Sequence, residues 1–318
     1  MAGRWTLPNQ RHTVPRMVET RTLSIHLTEY LLWRVRRGKH PFLAELVRAL
    51  EARGWRITWR GDGLDERLAS AARPGYTLFY EDAPVGPRCL TLRRSYFDPF
   101  WQIEASAKRW EWDVARASFD PEAVDGDRAA HFVKFWRGRM PLPPPVRGEG
   151  FVYVPLQGRL LTQRSFQSRA PVDMVREIAK RERTRDIVLT LHPGETYSPH
   201  EREAVDRLIE DPRIHLSDSP MTDLLPKCDY VACENSSVAL KGFFLNKPAL
   251  LFAEIDFHHI AASVPKLGMK GAFEALGGPA PDYARYLFWF FQHKALNFWR
   301  PEFGQRVTER LQAHGWPA

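Results

Sequence analysis

Apolar residues recur along this chain in short runs, and between the runs lie amphipathic stretches of helical period. Thr22-Leu23-Ser24-Ile25-His26-Leu27 alternates apolar and polar side chains as a half-buried strand does. Residues 41–53 predict a helix stopped by Gly54, and Trp55-Arg56-Ile57-Thr58-Trp59 a second alternating strand. Strand, helix and strand in immediate succession make a βαβ unit. A short helix over 66–72 and a strand over 76–80 follow. From Leu90 to Trp112 the pattern is lost under Tyr96, Phe97, Phe100, Trp101, Trp110 and Trp112, so irregular chain packed between elements is expected there.

Met140-Pro141-Leu142-Pro143-Pro144-Pro145 interrupts everything. Neither a helix nor a central strand tolerates such a run, which makes a stiff, extended connector. Beyond it the alternation is regular. Strands are predicted over 151–156, 187–191, 214–216, 230–233 and 249–252. Helices are predicted over 171–183, 199–210 and 236–244, with a helical turn over 221–225. This is the pattern of a parallel sheet with helical crossovers. An aromatic helix over 283–297 and a more polar one over 301–314 end the sequence. The organisation expected is a polar leader (1–21), an α/β domain (22–140), the linker (141–147), a second α/β domain (148–280) and C-terminal helices (281–318). The fold class expected is α/β and GT-B-like: two Rossmann-like domains with a C-terminal helical tail and the ligand in the cleft between them.

Composition narrows the function. Of 318 residues, 44% are hydrophobic and 26% charged, enough for substantial cores under a soluble surface. No run reaches the roughly 20 apolar residues that cross a bilayer, and the N-terminal stretch lacks an apolar signal core, so a cytoplasmic protein is expected. Net charge is +8. That balance favours phosphorylated ligands or peripheral contact with an anionic membrane such as the inner membrane. No helix-turn-helix, zinc-finger or RNA-binding signature accompanies it, so no specific nucleic acid is expected. Cys89, Cys228 and Cys233 lack metal-ligand spacing and are expected to be buried thiols.

The chemistry gathers at predicted strand tips. Leu191-His192-Pro193-Gly194-Glu195 ends one apolar run, and Pro193 stops the strand by removing a ladder donor. An imidazole held there can donate to a phosphate or to a leaving oxygen. Glu234-Asn235-Ser236-Ser237 ends another run and opens a helix, whose free N–H groups suit an anion. Gln157, Arg159 and Arg164 lie in the first strand-to-helix loop of the second half, where guanidinium groups could take a phosphate. Glu254, Asp256 and His258, with His259 beside them, follow a further strand; they offer acid–base chemistry, ligand contact or simple capping. No metal and no cofactor are expected. Glycine-rich phosphate fingerprints and the G-x-S-x-G elbow are absent, which argues against dinucleotide oxidoreductases, P-loop enzymes and hydrolases of that kind.

Val154-Pro155-Leu156-Gln157, Leu191-His192-Pro193, Asn235-Ser236-Ser237 and Asn246-Lys247-Pro248-Ala249-Leu250-Leu251-Phe252 together resemble the capsule polysaccharide biosynthesis family. Its members include GT-B transferases that use CMP-activated Kdo, and the His-Pro and Ser-Ser pair is similar to that of bacterial GT-B sialyltransferases. The resemblance covers residues 151 to about 260. It implies a glycosyltransferase moving a sugar from a nucleotide donor, CMP-linked in those relatives, to a capsule or other surface polysaccharide or a glycolipid. It also implies that His192, Pro193, Asn235, Ser236 and Ser237 contact the nucleotide phosphate, with His192 catalytic. The sequence departs from the family where an acidic residue should follow Leu156-Gln157: Gly158 to Ser165 holds no carboxylate. Glu81, Asp82 and Asp62 are substitutes. The alternative is an inactive GT-B-like protein that binds nucleotide or glycan as a partner or regulator.

Overall fold

The computed structural model describes residues 21–317. The polar leader expected over 1–21 therefore lies, Arg21 apart, outside the described residues. The first sheet contains β1 (Thr22–Leu27), β2 (Arg56–Gly61), β3 (Tyr76–Tyr80), β4 (Cys89–Arg94) and β5 (Phe100–Glu104). The second contains β6 (Phe151–Leu156), β7 (Asp186–Leu191), β8 (Ile214–Leu216), β9 (Tyr230–Cys233), β10 (Ala249–Leu251) and β11 (Ala262–Ser263). The chain then returns, and β12 (Leu296–Asn297) joins the edge of the first sheet.

Every pairing in the second sheet is parallel, in the order β11-β10-β9-β6-β7-β8. This is the Rossmann order, and its direction reverses between β6 and β9. The crevice outside the carboxyl ends of these two strands is where open α/β sheets take their ligands. The first sheet runs β12-β5-β4-β3-β1-β2; β1 to β4 are parallel, while β5 and β12 are antiparallel to their neighbours. Two Rossmann-like α/β domains thus face one another, as the GT-B-like expectation required.

Strand alternation sorts side chains into three cores. Along β6, Val152, Val154 and Leu156 face an outer core with Val175 and Ile178 of the helix Pro171–Arg181. Phe151 and Tyr153 face a core between the domains, shared with Phe100, Trp112 and Trp136 of the first half and Phe243 and Phe257 of the second. The third core covers the first sheet, where Leu43 and Leu46 of the helix Pro41–Glu51 meet Leu23, Ile25 and Leu27. An apolar interface this extensive favours one fixed relation of the domains over free hinge motion.

Two sequence expectations are corrected. Residues 90–112 are not irregular: they hold β4 and β5. The alternation of Leu90-Thr91-Leu92 puts both leucines in the first-domain core, and Trp101 stacks on Phe42 at 4.0 Å. Of the aromatic residues, Phe100 and Trp101 lie in β5 and turn to opposite cores, while Tyr96, Phe97, Trp110 and Trp112 flank the strand. The tail helix over 283–297 is also shorter, because an α-helix (Tyr283–Phe288) passes into a π-helical turn (Trp289–His293) and then into β12. The helix Phe303–Ala313 buries Phe303, Val307 and Leu311 in the first-domain core. The helices Glu29–Arg36, Gly126–Arg137 and Val264–Leu276 carried no clear sequence signal.

Candidate active site

A cleft of about 440 Å³ opens between the domains at the point where the second sheet reverses. From the second domain it is lined by Gln157 after β6, and by Asn235 and Ser237 after β9, with Ile255 beyond them. Ser236 caps the helix Ser237–Phe244, its Oγ accepting from the Val238 N–H at 3.3 Å. Ser237 thus stands in the first turn, where unbonded N–H groups and the positive end of the helix dipole face outward. The side chains of Gln157, Asn235 and Ser237 make no hydrogen bond to any described residue, and Gln157 Oε1 is buried without a partner. Buried polar atoms are seldom left so, because each unmade bond costs about 1–3 kcal/mol.

The first-domain wall is charged. Glu81 follows β3, Arg93 and Arg94 end β4, and Tyr96, Arg109 and Trp110 complete it. Glu81 and Tyr96 hold left-handed backbone, φ 62° and 71°, which is rare for residues with side chains and clusters at functional sites. Arg93 makes no ion pair among the described residues; its Nη1 donates to the Ala107 carbonyl at 3.3 Å. Burial and the nearby Arg109 charge hold it below the ordinary guanidinium value. A half-buried, uncompensated guanidinium next to two others suits an anion.

No family model matches the chain, and no curated protein matches it. Solved structures similar to it include two of Thermosulfurimonas dismutans KpsC. The beta Kdo 2,7 transferase is 13% identical over 84% of this chain and 88% of that one, with a TM-score of 0.49. The beta Kdo 2,4 transferase is 10% identical over 73% and 80%, with a TM-score of 0.42. A putative UDP-N-acetylglucosamine 2-epimerase from Listeria monocytogenes is 14% identical over 92% and 96%, with a TM-score of 0.32.

The geometry of the cleft redistributes the residues singled out in the sequence. Asp256 does not line the cleft. It is fully buried, accepts from Tyr96 Oη, and lies 3.5 Å from Arg109 Nη1. Burial raises its carboxyl above the usual range, against the pull of Arg109 and Tyr96. Arg109 is further held between the rings of Tyr96 and Trp112, 4.5 and 4.6 Å from their centroids, and donates to the Arg94 carbonyl at 3.0 Å. Asp256 therefore braces two cleft residues across the domain boundary. His258 and His259 are structural: His258 Nδ1 contacts the Ile255 carbonyl at 2.8 Å, and His259 contacts Tyr286 Oη and the Ala117 carbonyl. Burial pushes His259 down to about 4. Glu254 is partly exposed and outside the lining.

Arg164 lies 3.4 Å from Glu234, and Gln167 also donates to Glu234, so this buried carboxylate fastens the loop after β6. Burial lifts Glu234 to about 7 despite the Arg164 charge. Arg159 is exposed, with a left-handed φ of 61°. His192 and Pro193 are exposed at the tip of β7, one strand from the reversal, and neither lines the cleft. The His192 Nδ1 accepts from the Gly194 N–H at 3.1 Å, leaving Nε2 free of protein partners among the described residues. Gly158 lies against Glu195: a Cβ on it would come 2.3 Å from the Glu195 carboxylate. A carboxylate thus reaches the expected neighbourhood from the adjacent loop.

Of the three first-half carboxylates, Glu81 lines the cleft, while Asp82 pairs with Arg67 at 3.2 Å and Asp62 is outside the lining. Arg93, Arg94 and Arg109 were missed. The signal was present, since Leu90-Thr91-Leu92-Arg93-Arg94 is an alternating strand that ends in cations. Glu104, Asp113 and His314 place three ligand atoms within 4.8 Å of one another. Arg310 already lies 3.1 Å from Glu104 and contests any cation there.

Proposed function

We propose that this protein is a glycosyltransferase that takes a sugar from a nucleotide donor, CMP-linked in keeping with the family resemblance, to a surface glycan. One observation carries the reading. At the strand-order reversal, three polar side chains without protein partners and a helix N-terminus face Arg93, Arg94 and Arg109 across one cleft. The donor phosphate sits at Asn235, Ser236 and Ser237, with Gln157 on the neighbouring loop. The arginines face the negative charge that grows as the bond from sugar to phosphate breaks. An acceptor hydroxyl attacks the anomeric carbon, Glu81 takes its proton as general base, and the nucleotide leaves with the bonding electron pair. His192, through its free Nε2, meets the outer end of the donor phosphate.

A second reading, nucleotide or glycan binding without transfer, draws on the exposed place of His192 outside the lining. Calorimetric titration with CMP, UDP and GDP tests the first. Saturable CMP binding that is weakened in Ser237→Ala supports it, and no binding of any nucleotide overturns both the donor and the transfer step. Detectable release of sugar from a CMP-linked donor excludes the second reading.

A further inference from the structure

The rim of the first sheet carries a surface that the cleft does not use. The helix Glu29–Arg36 opens at the carboxyl end of β1, and none of its residues is buried. Leu31, Leu32 and Val35 pack partly on the first-domain core and hold the helix in place. Tyr30, Trp33, Arg34 and Arg37 recur at intervals of three and four, so they share one outward face. Tyr30 is 65% and Trp33 45% exposed, and their rings stack at 6.2 Å. Arg37 and Lys39 lie over Trp33, at 4.2 and 5.6 Å, and Arg34 over Tyr30 at 5.9 Å. The helix Leu64–Ser70, which follows the neighbouring strand β2, exposes Leu64 (67%) and Leu68 (57%), one turn apart.

We infer that this rim is a docking surface for an anionic lipid bilayer. Amphipathic aromatic rings settle at the level of lipid headgroups, and cations among them meet the negative surface potential. Arg34, Arg36, Arg37 and Lys39 stand on or just after the aromatic helix beside its single acid Glu29, and Arg67 accompanies Asp65 and Glu66 on the Leu64–Ser70 helix, so the charge that faces the bilayer is that of the aromatic helix. The exposed leucines add apolar area that a polyanion in solution would leave wet. Position gives the contact a purpose. Across the sheet order β2-β1-β3-β4, the rim passes from Leu64 and Leu68, through Tyr30 and Trp33, to Glu81 and then to Arg93 and Arg94. Adjacent strands are about 4.8 Å apart, so the aromatic helix starts one strand from Glu81. A membrane held there presents a lipid-anchored acceptor to the side of the cleft that carries Glu81. That last step rests on the glycosyl-transfer reading, whereas the lipid contact does not.

Co-sedimentation of the full chain with phosphatidylcholine vesicles, with and without phosphatidylserine, tests the inference. Binding is expected only with phosphatidylserine and weakens as salt is raised. Each of Arg36→Gln and Arg37→Gln should lower partitioning about fivefold. Trp33→Ala and Leu68→Gln should lower it at high salt as well. CMP binding should be unchanged in all four variants, which also shows that they are folded. Equal binding to neutral vesicles, no binding to phosphatidylserine at low salt, or wild-type partitioning by all four variants overturns the proposal. So does release of the bound protein by single-stranded RNA at a lower charge concentration than by competing anionic vesicles. Loss of CMP binding by the unmodified protein would sink the donor reading alone and leave the vesicle result standing.

Discussion

The second-domain wall of the cleft offers neutral groups that the protein leaves unbonded: Gln157, Asn235, Ser237 and a helix N-terminus. The first-domain wall offers charges that the protein has fixed, with Arg109 clamped between Tyr96 and Trp112 and braced by Asp256. One wall is therefore suited to hold a ligand's polar atoms, and the other to answer a change in its charge. Preorganised charge acts on the transition state without a cost of reorganisation, whereas unfilled hydrogen-bonding capacity acts already on the ground state. The division predicts that variants in the two walls fail differently.

The largest effect should come from the charged wall. Glu81→Gln is expected to slow transfer by about 10²–10⁴-fold with CMP affinity unchanged, read from initial rates beside a titration. If Glu195→Gln takes that loss instead, the base belongs to the second domain and the division fails. Next comes the brace. Arg109→Ala leaves Asp256 buried without its cation and should lower stability by about 3–5 kcal/mol in urea unfolding. Combined with Asp256→Asn, the loss should be much smaller than the sum of the two; simple addition would show that the contact between them is idle. Ser237→Ala should weaken CMP binding about tenfold and leave the rate at saturation nearly unchanged, because it removes ground-state contact.

The smallest effect is a pH dependence set by buried structural carboxylates. Burial lifts both Glu104 and Glu234 to about 7, against an unperturbed value of 4.5. A folded state that holds these protons more tightly than the unfolded one gains stability at low pH. Their contribution is complete below about 4.5 and is lost as pH rises through about 7. Glu104→Gln should flatten the stability profile across that window, followed by thermal unfolding.

The second wall was legible because each of its elements is local. A strand, a tip residue and a cap follow one another within a few positions, as in Tyr230 to Ser237, and alternation marks them without help from the rest of the chain. The first wall was not. Arg109 owes its place to Asp256, which lies 147 residues away, and no periodicity reports such a contact. The aromatic residues from Tyr96 to Trp112 hid a strand pair, since their bulk suggested filler, whereas Phe100 and Trp101 lie in β5 and turn to opposite cores and the others flank it. Asp256 and His259 looked like chemistry because of their residue types. Only burial shows that they tie the domains together. His192 lost its central position for the opposite reason: its strand was correctly expected, but β7 stands one place away from the reversal.

The return of the chain to its first sheet has a consequence for synthesis on the ribosome. Leu296, Phe303, Val307, Leu311 and Trp316 belong to the same core as Leu23 and Ile25. Domains commonly fold in the order in which they emerge. Here the domain of β1 to β5 must wait for residues 296–316 to be translated, while everything from β6 to β11 can condense in between. During that interval β5 is an edge without β12, and Leu23, Ile25 and Trp101 of the first-domain core lack Leu296, Phe303, Val307 and Leu311. A nascent chain stalled before residue 296 is therefore expected to carry a finished second domain and an open, adhesive first half. Residues 296–316 decide when the strands of the first sheet become safe from aggregation.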